Sequence, residues 1–303
     1  MDKVLVVGGS GFIGSAIQQY VVREHLENLF TFTFNKKPEK IHKNLDRIRL
    51  DLLGEISEEV SNYTNVIYVA GNADHGLAKR SPLLDLEFNV RAFLNFMQKF
   101  RGSLVLLSSQ ATYYGLEGKI SEAVEHVATI PYGISKRMVE AYAEYFLRTN
   151  CLSSLWIFRL MYAFGKGEKN HRLIPRCAKA VREGGEVTIF GGGESFLNPL
   201  PSEFIAKVLV KASESLRQGT TQFIEITNIN YPERVTAKDL VAYLNQIEPF
   251  NFTVSVEGEE WPVMFWGDTE KLLNHLREWN IDFPDLWGSL KNYFGELKEG
   301  KTE

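Results

Sequence analysis

A doubly wound parallel α/β sheet carrying a smaller mixed α/β carboxyl-terminal lobe is the fold class this sequence predicts. Three observations lead to it. An apolar run at the amino terminus ends in glycines, apolar runs then alternate with helical stripes to about residue 160, and Gly and Pro punctuate shorter elements beyond that point. Continuous apolar strands are buried on both faces, and their alternation with helices requires parallel pairing through right-handed crossovers.

Val4-Leu5-Val6-Val7 reads as the first buried strand. A helix follows from Phe12 to Glu24, with Phe12, Ile13, Ala16, Ile17, Tyr20 and Val21 on one stripe. Strands are expected over 29–34, 48–50 and 66–70, a long helix over 82–100, a strand over 104–107, a helix over 132–148 and a strand over 154–160. Further on, helices are expected near 175–183, 202–216, 237–246, 268–278 and 285–297, and strands over 187–190, 222–226 and 252–256. The chain thus divides into a first domain, 1–160, and a lobe, 161–303, whose segments are expected to interleave with it.

The 303 residues are 44% hydrophobic and 24% charged, enough for a sizeable core. Lys plus Arg number 34 against 38 Asp plus Glu, a near-balance that argues against a chain built to coat nucleic acid. No uncharged apolar run approaches the ~20 residues of a membrane span. The four apolar residues after Lys3 are too few for a signal-peptide core. Cys151 and Cys177 make no disulfide framework, and a cytoplasmic protein is expected. The histidines and cysteines form no close ligand spacing, so no metal is expected.

Gly8-Gly9-Ser10-Gly11-Phe12-Ile13-Gly14 lies between the first strand and the first helix. A tight turn, a phosphate approaching the backbone and close helix packing each exclude a β-carbon, and the helix amino terminus then faces a pyrophosphate. Gly8, Ser10, Gly11, Phe12, Ile13 and Gly14 are therefore expected around a dinucleotide. Five more motifs follow in order: Asp51-Leu52, Val66-Ile67-Tyr68-Val69-Ala70-Gly71, Phe88-Asn89-Val90, Tyr132-Gly133-Ile134-Ser135-Lys136, and Arg159 through Phe164-Gly165. With the spacing Gly8-x-x-Gly11-x-x-Gly14, they resemble the extended branch of the short-chain dehydrogenase/reductase superfamily, the NAD-dependent epimerase/dehydratase family that modifies nucleotide sugars. The resemblance covers most of the chain and implies a Rossmann-like fold.

By that resemblance Asp51 and Leu52 meet the adenine, and Ala70, Gly71 and Asn89 also line the cofactor. Members that bind NAD close the second strand with a carboxylate on the ribose hydroxyls. Here the strand ends Phe34-Asn35-Lys36-Lys37. Two lysines suit a 2′-phosphate, so NADP is favoured; the alternative is NAD with Asn35 on the ribose.

Tyr132 and Lys136 stand four residues apart, on one face of a helix. A free tyrosine, pKa ~10, is a poor base at neutral pH, and a nearby ammonium favours its phenolate. The resemblance makes Tyr132 the acid/base for hydride transfer and Lys136 the holder of the nicotinamide ribose. It also implies a Ser or Thr four residues before the Tyr of Tyr-Gly. Counted back from Tyr114, that place holds Gln110. A hydrogen bond donated by the Gln110 amide or by the hydroxyl of Ser109 or Thr112 would serve, and a drifted site with weak or absent catalysis is the remaining alternative. Ser109 with Gln110 beside it is the expected pair.

For substrate, the resemblance implies a nucleotide sugar bound by the carboxyl-terminal lobe. The Arg that clamps the diphosphate is missing, with Leu197 near its place, so Arg172 and Arg176 are the candidate cations, with Asn72 and Thr112 nearer the reaction. His75, in the loop after the fourth strand, is either a proton shuttle or an ordinary loop histidine. Epimerase and reductase are not separated, and dehydratase is disfavoured because Ala111-Thr112 supply no carboxylate pair. Two other readings stand beside these: a reductase of a small non-nucleotide carbonyl compound, and a non-catalytic NAD(P)-binding redox sensor. A homodimer through the helices near 82–100 and 132–148 is expected, because Phe93, Phe96, Met97 and Phe100 exceed the needs of one sheet contact.

Overall fold

A computed structural model describes residues 3–218, 222–258 and 262–300. The first half runs β1 (Val4–Val7), α1 (Phe12–Arg23), β2 (Phe30–Phe34), β3 (Asp46–Arg49), β4 (Asn65–Tyr68), α2 (His75–Arg80), α3 (Pro82–Leu86), α4 (Ala92–Lys99), β5 (Gly102–Ser109), β6 (Gly118–Ile120), α5 (Pro131–Arg148) and β7 (Leu152–Leu160). It continues through β8 (Tyr162–Phe164), α6 (Leu173–Glu183), β9 (Glu186–Ile189), β10 (Pro199–Pro201), α7 (Ser202–Gln218), β11 (Phe223–Ile229) and α8 (Ala237–Ile247). The last elements are β12 (Asn251–Val254), β13 (Phe265–Gly267), α9 (Glu270–Glu278) and α10 (Leu286–Lys298).

Seven strands form one parallel sheet in the order β11-β7-β5-β4-β1-β2-β3. The chain runs outward from β1 to β3, then returns through β4 to the other edge. The switch between β1 and β4 opens a crevice at the carboxyl ends of the strands, where such sheets bind ligands. Alternate residues of β1 feed two cores. Val4 and Val6 pack with Ile17 of α1 and Leu209 of α7, while Leu5 and Val7 pack with Phe93 and Phe96 of α4. A third core, with Ile174, Leu240 and Leu290, holds the carboxyl-terminal lobe together.

Three sequence expectations change. The strand expected over 222–226 is longer and joins the main sheet, paired with β7 from Phe223↔Ser154 to Ile229↔Leu160. The helix expected over 82–100 is interrupted by a π-helical turn, Glu87–Arg91, between α3 and α4. Phe93, Phe96, Met97 and Phe100 are all buried within the monomer, so the apolar surplus fills the space under the sheet and is no pairing face. Among the described residues no helix is long and apolar enough to cross a membrane, and no three His, Cys, Asp or Glu group as metal ligands.

Candidate functional site

The glycine turn is shaped by what a β-carbon would strike. One on Gly8, whose φ is +93°, would lie 2.7 Å from the Ala70 nitrogen, and one on Gly14 would lie 2.2 Å from the Gly8 oxygen. Gly11 donates to the Gly8 carbonyl and Gly8 to Thr33 Oγ1, each at 3.0 Å. No side chain caps α1 and no acid occupies its first turn, so the first amides stay available for an anion. These features fit a dinucleotide pyrophosphate. Ile13 is buried in the sheet core and offers only its backbone. A brace the sequence did not announce is Gln18. Its buried amide donates to the Gly9 and Lys40 carbonyls at 2.8 and 3.1 Å and accepts from the His42 amide at 2.7 Å.

At the far end of this crevice Asn35, Lys36 and Lys37 are exposed, and neither lysine makes an ion pair among the described residues. The register Phe34↔Arg49 sets the exposed Arg49 beside the same strand end, an unanticipated third cation. Asp51 is exposed and accepts from the Leu53 amide at 3.1 Å; Leu52 is half-buried.

Tyr132 and Lys136, the candidate pair, are positioned by α5. A β-carbon on Gly133 would lie 2.2 Å from the Ala111 carbonyl, so only glycine lets this helix seat against the turn after β5. That seating presses Tyr132 against Ser109. Burial pushes the Tyr132 phenol up to about 12, the hydrogen bond with Ser109 lowers it, Asp85 raises it and Arg172 lowers it. Lys136 Nζ stands 5.9 Å from the Tyr132 ring centre. Burial draws this ammonium down to about 8, opposed by Asp85 and Glu140. His75, at the start of α2, lays its ring 4.5 Å from that of Tyr132, tilted by 32°. Burial, then Arg172, depress it to about 4, so it is neutral at physiological pH.

The residues around Ser109 sort themselves by their bonds. Gln110 donates to the Arg159 carbonyl at 3.3 Å and to Asn230 Oδ1, and accepts from the Gly267 amide at 3.0 Å. Its amide is thereby committed to joining the end of β5 to β7, to β13 and to the residue that follows β11, and is not brought to the phenol. Thr112 donates to the Ser109 carbonyl at 3.0 Å. Ser109 Oγ, which accepts from the Ala111 amide at 3.1 Å, is the hydroxyl that meets Tyr132.

Behind α5, Glu140 and Arg159 form a fully buried bidentate pair, with Nε–Oε1 at 3.1 Å and Nη2–Oε2 at 2.8 Å. Ser108 adds a 2.6 Å bond to the carboxylate, and Arg159 Nη1 reaches the Tyr113 hydroxyl at 2.9 Å. Below the site, Asn89 accepts from the Asn72 amide at 2.9 Å and donates to Asp85 Oδ1 at 2.9 Å and Ser135 Oγ at 3.0 Å. Asn72 donates to the same Asp85 oxygen at 2.7 Å and to the Asp74 carbonyl at 3.1 Å, so its side chain is spent within the protein. Sequence reasoning missed Asp85.

In the lobe, Arg172 stacks 3.9 Å from the centre of the Tyr162 ring, with Nε 3.4 Å from Glu168. Tyr162 donates to that carboxylate at 2.9 Å, and burial pushes Glu168 up to about 7. Arg172 is near enough to act on both His75 and Tyr132. Arg176 instead donates to the Thr188 carbonyl at 3.1 Å and ties α6 to β9. Leu197 packs against the lobe's core.

The profile of the NAD dependent epimerase/dehydratase family matches residues 4–221. The dTDP-4-dehydro-6-deoxyglucose reductase of Escherichia coli is 24% identical over 264 residues, covering 79% of this chain and 80% of that protein. A solved UDP-glucose 4-epimerase superposes with a TM-score of 0.85 at 18% identity, over 99% of this chain and 98% of the other. MoeE5, solved with UDP-glucose and NAD, gives 0.83 at 20% identity, over 98% of this chain and 99% of the other. At such identities the structural likeness is one of fold. The profile match runs from β1 through α7, taking in the glycine turn, Ser109, Tyr132, Lys136 and Arg172, and the chain belongs to the NAD dependent epimerase/dehydratase family.

Proposed function

We propose that this protein is an NAD(P)-dependent oxidoreductase or epimerase acting on a carbonyl or secondary alcohol of a nucleotide sugar. The observation that carries the reading is the buried Tyr132 phenol beside Ser109, with Lys136 Nζ 5.9 Å from its ring centre. The backbone of Gly8, Ser10, Gly11, Phe12, Ile13 and Gly14 holds the pyrophosphate, Asp51 and Leu52 the adenine, and Lys136 the nicotinamide ribose, with Ala70, Gly71 and Asn89 alongside. A bound nicotinamide supplies the hydride acceptor or donor. Tyr132 takes the proton from the substrate hydroxyl in oxidation and returns it in reduction, while Ser109 holds the same oxygen. Lys136 offsets the cost of a phenolate in a buried site.

Turnover of UDP-glucose and a dTDP-sugar panel tests this. Ser109→Ala is expected to lower kcat about 10²–10³-fold with cofactor affinity unchanged, the loss typical of one oxyanion donor. Unaltered turnover in that variant removes Ser109 from the mechanism.

The relatives' names support a nucleotide sugar. Arg172 is the substrate-side cation of this reading. Arg176, Asn72 and Gln110 are withdrawn from it by their internal bonds, and Thr112 supports Ser109. NADP is the cofactor we favour, because Lys36, Lys37 and Arg49 are exposed together at the end of β2. Replacing both lysines by Ala is expected to weaken NADPH binding at least ~10-fold and leave NADH unchanged, read by fluorescence titration. Equal affinity of the parent protein for NADPH and NADH would sink the preference.

Leu83, Ile134, Met138, Tyr142 and Tyr145 are exposed apolar residues of α3 and α5, and they support a homodimer through these helices. Two free cysteines are in keeping with a cytoplasmic location. A dinucleotide-binding domain and a substrate lobe that part near residue 160, with α7 and β11 returning to the first, complete the reading.

A further inference from the structure

Asp85 is a carboxylate at 1% exposure, and a buried charge persists only where its surroundings compensate it. Two amides, from Asn72 and Asn89, donate to its Oδ1. The π-helical turn after α3 carries Asn89, so this bond joins α3 to the distorted stretch that follows it. Among the described residues no Lys or Arg nitrogen lies within ion-pair distance of Asp85, so hydrogen bonds satisfy the group without cancelling its charge.

The charge it faces is that of Lys136. A β-carbon on Gly71 would fall 2.5 Å from Asn89 Oδ1 and 3.5 Å from Lys136 Nζ, so the amide network and the ammonium border one small space. Two carboxylates act on that ammonium, Asp85 from α3 and Glu140 from its own helix. Glu140 is already neutralised by the bidentate Arg159 and also bonds Arg137 at 2.8 Å. Asp85 is left as the anion with no cation of its own.

We propose that Asp85 is a positioning residue whose buried carboxylate is the counter-charge that keeps Lys136 an ammonium beneath Tyr132. Burial alone works against that ammonium and brings it to about 8. Without Asp85 it falls further, the amine becomes neutral near physiological pH, and its support for phenolate and ribose goes with it. Asp85 also raises Tyr132 directly, which Ser109 and Arg172 oppose. The dominant effect expected of Asp85 is therefore on Lys136.

The inference rests on Lys136 holding the cofactor, and the test keeps the two apart. NADH and NADPH are titrated into the full-length protein between about pH 6 and about pH 10. The parent protein is expected to lose affinity as Lys136 deprotonates, and Lys136→Met is expected to bind weakly with no such limb. Asp85→Asn keeps an oxygen for both amides and loses the charge. A positive group that loses a neighbouring anion titrates lower, so the alkaline limb moves to lower pH by about one unit or more, with affinity at the acidic end unchanged. Asp85→Ser, a second neutral variant, is expected to do the same. A limb that stays in place in a folded neutral variant overturns the inference alone. A parent protein without the limb overturns the role of Lys136, and the inference with it.

Discussion

Replacing Tyr132 by Phe is expected to lower turnover about 10²–10⁴-fold, the usual contribution of a positioned acid/base. The substitution removes one oxygen from a buried ring, so packing against His75 is retained and cofactor titration is expected to match the parent protein. Turnover of a nucleotide-sugar panel is the measurement, with single-turnover reduction by NADPH isolating the chemical step. The direction of the pH profile also follows. Burial raises the phenol to about 12 with no ligand bound, so activity in the oxidative direction should climb with pH until Lys136 loses its proton near 8. Undiminished turnover in Tyr132→Phe would remove the acid/base assignment.

The second large effect is on stability. Glu140→Ala leaves the Arg159 guanidinium buried and unpaired, with side-chain exposure of only 3%. Breaking a buried pair from one side costs about 3–5 kcal/mol, a large share of a domain's ~5–15 kcal/mol. Urea unfolding should show a fall in midpoint without a fall in m. Because desolvation offsets much of the attraction within such a pair, replacing both residues by Met is expected to restore most of the loss. A single-variant cost below about 1 kcal/mol would put this pair on a par with exposed ones.

The residues of the site differ in how openly the sequence declared them. Tyr132 sits in a four-residue spacing on a helix, and Gly8, Gly11 and Gly14 sit in one turn, so local pattern sufficed. The order of strands and helices was legible for the same reason, since burial on two faces leaves unbroken apolar runs. Gln110 shows where legibility stops. Two of its partners, Asn230 and Gly267, lie more than a hundred residues away, and nothing local tells an amide facing substrate from one bridging strands. Asp85 was silent too, because an acid in a helical run reads as solvated surface until the fold buries it. The π-helical turn that carries its partner Asn89 disturbs no periodicity strongly enough to be seen. Arg172 and Arg176 looked alike on one helix start, and only packing separated them.

The seventh strand has a consequence for how this chain is made. β7 gains its outer partner only when Phe223–Ile229 arrives, after the entry segments of the lobe have been synthesised. Until then a nine-residue, largely buried-type strand presents unpaired amides and carbonyls along one edge, the kind of template on which other chains nucleate. A break at residue 160, or at the end of the family match, would leave that edge permanently open. The chain is therefore one unit of solubility, whatever the number of lobes that share its chemistry.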